Sequence, residues 1–195
     1  MVISDDFSDT TLALNWQWNH NPDNALWSLT ERPGYMRLKT GKVVETIFQA
    51  RNMLSQRTEG PACRGIVSLD LSHMTDGDIA GLTAYCSEPG TIEVRMEGGK
   101  KELVMTDRTI EQERTELVQD QIYLRLDCDF REGRDKATFY YSLDGDVWKL
   151  LGTEFQMVYN LRHFMGNRFG IFNYATKQAG GYVDVDFFEY ERFVN

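Results

Sequence analysis

Apolar and polar positions alternate with a period of two along most of the chain. They do so in short runs separated by clusters of Gly, Pro, Asn and Asp, which is the pattern of antiparallel strands. In Trp16-Gln17-Trp18 the two indoles point the same way, and the turn-forming residues 19–24 lead to a second strand candidate over residues 26–30. After Arg32-Pro33-Gly34 the alternation resumes over 35–38, 65–71, 79–86, 91–96 and 102–105. From Gln121 onward, Ile122, Leu124, Leu126 and Cys128 face one side, and Tyr123, Arg125, Asp127 and Asp129 face the other. Residues 109–121, rich in Glu and Gln, have too few apolar positions for a buried helical face and read as a loop or an edge strand. Asp144-Gly145, between the β-prone run from Ala137 and Trp148, predicts a tight hairpin. Residues 168–174 and 181–190 close the chain as strands. More than ten short strands with turns between them imply an all-β fold, a two-sheet antiparallel β-sandwich.

Composition narrows the partners rather than the fold. No linker-like stretch divides the 195 residues, so one domain over 1–195 is expected. The formal net charge of -9 opposes a polyanion, which argues against nucleic acid. No apolar run approaches the roughly 20 residues of a membrane-spanning helix. The start, Met1 to Asp6, has no leader-like pattern, so any signal peptide was removed or lies upstream in a longer protein. Cys63, Cys86 and Cys128 are odd in number and lack CxxC spacing, so they read as small buried residues. The compartment stays open among cytoplasm, periplasm and cell exterior.

Tyr141-Ser142 followed by Asp144-Gly145 and Trp148 resembles the hairpin of many concanavalin A-like jelly rolls. The run from Trp16 to Pro22, with Trp27-Ser28-Leu29 and Arg32 to Leu38, is similar to the opening of the C-terminal module of family 43 glycoside hydrolases, the β-xylosidase and α-L-arabinofuranosidase type. Gln56-Arg57-Thr58 with Gly60-Pro61, then Asp76 to Leu82, then Gly181 to Tyr190 match in the same order. The resemblance implies a concanavalin A-like sandwich packed against a preceding five-bladed propeller that carries the catalytic carboxylates. It also implies a xylan-like oligosaccharide or polysaccharide ligand, and a late loop that lends an aromatic side chain to the active-site rim. Phe164-Met165-Gly166 occupies that loop's place, followed by Asn167-Arg168 where relatives are more apolar.

Sugar recognition in water uses aromatic faces that stack on a pyranose, flanked by amides and guanidinium groups. Trp16, Trp18, Asn19, His20 and Asn21 group these types, as do Arg32 and the Gln56-Arg57 pair, and Phe164 joins them as a rim candidate. His20, in an Asn-rich turn, reads as a loop hydrogen-bonder rather than a general base. No catalytic residue is assigned. Asp184 and Asp186 share a face, but alternation puts Glu189 on the other, and no nucleophilic triad is present. Asp6 and Asp186 are a candidate calcium pair between first and last strands, or else solvated strand-edge carboxylates. Three roles follow: a carbohydrate-binding or rim-completing module, a purely structural buttress, or a free-standing glycosidase with acids on a sandwich face.

Overall fold

The computed structural model describes residues 2–160 and 165–194. Among them, fifteen strands, numbered along the chain, form two antiparallel sheets. The first sheet runs in the spatial order β1 (Gln17–Trp18), β4 (Leu54–Arg57), β14 (Arg168–Ala175), β6 (Asp78–Tyr85), β7 (Gly90–Glu97), β8 (Lys100–Asp107) and β9 (Ile110–Leu117). The second runs β12 (Lys149–Leu150), β11 (Lys136–Ser142), β10 (Gln121–Asp129), β5 (Ala62–Asp70), β15 (Tyr182–Phe193), β3 (Met36–Lys39) and β2 (Trp27–Ser28), with β13 (Phe155–Gln156) also paired to β11. No helix of the described residues is long and apolar enough to cross a membrane.

The core lies between the sheets, where alternation from each side interlocks. Ile122, Leu124, Leu126 and Cys128 of β10 meet Phe169 and Ile171 of β14 and Leu82 of β6, all buried. Each large aliphatic or aromatic side chain withdrawn in this way contributes about 1.5–3 kcal/mol of transfer free energy. Residues 109–121 supply an edge strand, β9, whose mostly exposed charged side chains suit a sheet border. All three cysteines are free and buried, with Cys63 and Cys128 directly opposite each other on β5 and β10.

Two local features depart from simple alternation. The hairpin between β11 and β12 closes through residues 143–148 rather than through a two-residue Asp-Gly turn. Asp144 Oδ1 accepts the amides of Asp146 and Val147, both at 2.9 Å, and Ser142 Oγ accepts that of Gly145, so the loop is built on side-chain hydrogen bonds. Of Asp144 and Gly145, Gly145 alone has positive φ, at 87°. In β15 the register slips between Val185 and Phe187, a bulge. The inward positions therefore run Val183, Val185, Phe188, and Glu189 returns to the outer face that Asp184 occupies, opposite to the strict alternation expectation.

Candidate functional site

On the outer face of the second sheet, Asp184 is fully buried beneath two arginines. Arg37 donates to it from Nε at 2.7 Å and from Nη2 at 2.9 Å, and Arg32 Nη1 donates at 3.0 Å while also reaching Asp70 at 2.6 Å. The two guanidiniums lie over the rings of Tyr35 and Tyr182. Arg32 is thus engaged by two carboxylates while its side chain stays part-exposed at the surface.

Other candidates have equally definite places. Trp16 is 6% exposed, packs between Phe7 and Phe188, and donates its indole N–H to Asp5 at 2.7 Å, so its ring offers no face to a ligand. Trp18 is half-buried against Trp27, with ring centroids 5.1 Å apart. Asn19 donates its backbone N–H to Met53 O and lies against Tyr85, with its side-chain Nδ2 buried and without an acceptor among the described residues. His20 sits at the surface with Nε2 2.6 Å from Phe48 O, and Asn21 is exposed. Gln56 is fully buried, accepting Ile3 N at 3.1 Å and donating to Ile3 O at 3.0 Å, a clasp on the first segment of the chain. Phe164 lies outside the described residues.

Asp6 is exposed and accepts Ser8 N at 3.0 Å, and hydrogen bonding from the Ser8 side chain and then from this amide lowers its pKa. Asp186 lines a different depression, with Arg32, Asp70 and Asp120, where burial pushes its carboxyl up. Among the described residues no group of three or more His, Cys, Asp or Glu side chains is placed to hold a metal ion.

A concave surface of another composition forms where β1, β4 and β14 run side by side. The register sets Gln17 and Gly170 on either side of Ser55, and Arg57 opposite Arg168. Thr58 donates both its amide and its hydroxyl to Asn167 O, at 3.2 and 2.8 Å, which pins the start of β14 to the end of β4. The result is a depression of about 540 Å³, bordered by Gln17, Arg57, Thr58, Phe130, Asn167 and Arg168, with Met165 beside them.

Arg168 is its most unusual element. It is 3% exposed, and its Nε donates to Ser55 Oγ at 2.9 Å, while Ser55 in turn donates to Gln17 O. Burial, and then the charge of Arg57, hold its pKa below the ordinary arginine value. Arg32, Arg37, Arg64, Arg95 and Arg125 all lie against carboxylates. Arg57 and Arg168 have no carboxylate partner among the described residues.

The depression unites Arg57, a sequence candidate, with Gln17, Thr58, Asn167 and Arg168, which alternation and motif did not single out. The departure at Asn167-Arg168 was the available signal, since charge replaces apolar character at the start of a strand that is otherwise apolar.

A model of the β-xylosidase C-terminal concanavalin A-like domain matches residues 4–191. A β-xylosidase of Formosa agariphila is 34% identical over 213 residues, covering 96% of this chain and 34% of its own length. Among solved structures, a bifunctional GH43-CE protein of Bacteroides eggerthii superposes with a TM-score of 0.95 at 48% identity, covering 98% of this chain and 26% of that one. The GH43 protein BlXynB of Bacillus licheniformis gives a TM-score of 0.81 at 28% identity, covering 97% and 39%. The chain therefore spans between about a quarter and two fifths of the length of these relatives.

Proposed function

Because the chain belongs to the family of β-xylosidase C-terminal concanavalin A-like domains, we propose that it is a non-catalytic accessory module of a family 43 glycoside hydrolase. In this reading it presents the β1/β4/β14 edge to xylan- or arabinoxylan-type carbohydrate or completes the active-site rim of a partner propeller domain. The observation that carries the reading is the composition of the edge depression: two guanidiniums, two amides and a hydroxyl beside the apolar surfaces of Phe130 and Met165. Those are the group types that hydrogen-bond sugar hydroxyls and cover a pyranose face. Met165 directly follows Phe164, the rim candidate of the family resemblance.

A few such hydrogen bonds and one covered ring face correspond to roughly -4 kcal/mol, a millimolar dissociation constant. Titration of the labelled chain with xylohexaose, followed by amide chemical shifts, is expected to move Gln17, Thr58 and Asn167 in a saturable manner, and Gln17→Ala is expected to weaken the effect. A chain that gives no saturable shift at millimolar sugar would be a buttress alone, and the reading would be abandoned.

A further inference from the structure

The same depression has a charge that neutral sugar does not need. Arg168 is almost wholly withdrawn from water, its Nε is engaged by a serine hydroxyl, and the neighbouring cation is Arg57, its register partner across the strands. Two like charges in adjacent strands repel, and burial strengthens that repulsion by lowering the local dielectric. The chain has 30 acidic residues against 21 basic ones, and most of its other described arginines are matched to carboxylates, several of them in bidentate pairs, the exposed Arg51 being an exception. Leaving the buried guanidinium unmatched at a concave surface marks a place for an anion from outside the described chain.

The surroundings define what kind of anion. A guanidinium fork matches a carboxylate in shape as well as charge. The depression, at about 540 Å³, has the size of a small-molecule site rather than that of a single inorganic ion. Around the arginines, Gln17, Thr58 and Asn167 offer hydrogen-bonding groups suited to hydroxyls, and Phe130 and Met165 offer apolar cover. We propose that the depression binds a uronic acid unit, its carboxylate taken by Arg57 and Arg168 and its hydroxyls by the polar rim. The inference rests on the reading of this edge as the substrate-facing one, and it adds that the substrate class is an acidic saccharide.

The test is a titration of the intact chain with glucuronic acid, with its methyl ester as the neutral isostere, and with a xylotriose bearing a glucuronosyl branch, followed by amide and arginine Nε chemical shifts. Glucuronate is expected to bind saturably at the depression and the ester at least about tenfold more weakly, as loss of a charge-assisted pair requires. Binding should weaken as salt is raised from about 20 to 500 mM, since part of the attraction is exposed to solvent at Arg57. Arg57→Gln, at an exposed position that leaves the core intact, is expected to lower glucuronate affinity about tenfold; Arg168→Lys, which keeps the charge and loses the fork, should weaken it with the fold verified by its thermal melt. Tighter binding of the branched trisaccharide than of glucuronate would identify a polysaccharide branch as the source, and equal binding would identify the free acid sugar. Equal affinity for acid and ester, or no saturable shift with glucuronate, overturns the inference. If xylohexaose still maps to this edge while glucuronate does not, the acidic-sugar inference falls and the substrate-facing role stands; if neither binds, both fall.

Discussion

Asp78, at the start of β6, is fully buried, with Oδ2 accepting the amide and the hydroxyl of Thr75 and Oδ1 without a partner among the described residues. Burial pushes its pKa up, and the hydrogen bonds from Thr75 offset only part of that. A group with a raised folded pKa contributes stability that is complete below its unfolded value, near 3.9 for an aspartate, and is lost as pH rises through the folded value. Asp78→Asn removes this titration and leaves every other one in place. Urea melts of the two proteins at pH 4, 6 and 8 should therefore show the difference moving in favour of Asp78→Asn as pH rises. A pH-independent difference would show that Asp78 titrates normally. Asp184, equally buried, illustrates the opposite solution, since Arg32 and Arg37 saturate both of its oxygens.

Between elements, the glycine with least room against the backbone of a paired strand is Gly81, where β6 meets β7. A Cβ there would lie 2.1 Å from Ile92 O and 2.7 Å from Glu93 Cα, both backbone atoms of the paired strand. Gly81→Ala must push the two strands apart, and a cost of roughly 3 kcal/mol or more is expected from overpacking of this kind. A urea midpoint close to that of the parent would refute this account. Alternation made such strands legible in advance: Ile122, Leu124, Leu126 and Cys128 are inward as the pattern requires. It could not show which face of a strand meets the core, and so Trp16, an aromatic suited equally to packing and to sugar stacking, turned out to be held by Phe7, Phe188 and Asp5. Nor could it show the bulge in β15, because one extra residue leaves no mark in composition. The opposition of Arg57 and Arg168 depends on the pairing of strands distant in sequence, which no local pattern encodes.

For the molecule as a whole, the cysteines report on cooperative opening. Cys63 and Cys128 face each other on two interior strands of the second sheet, and Cys86 donates its thiol to Glu88 O. The neighbouring Cys63 and complete burial both push the Cys128 thiol well up, which keeps it protonated and unreactive. An aromatic disulfide reagent should leave the native protein largely unmodified, with all three thiols reacting on denaturation and at a rate that follows global unfolding. Rapid modification of Cys63 or Cys128 under native conditions would contradict the burial described for the pair. The clasp of Gln56 on Ile3 has a consequence of a different kind. Gln56 precedes Arg57 on β4, and its two hydrogen bonds fasten the first segment of the sandwich beside the strand that carries the arginine site. A domain joined ahead of residue 2 would be leashed within a short radius of that site. Its encounter with the depression would then be intramolecular, with an effective concentration in the millimolar range for a short flexible connection, so that a contact with a millimolar dissociation constant would be occupied about half of the time.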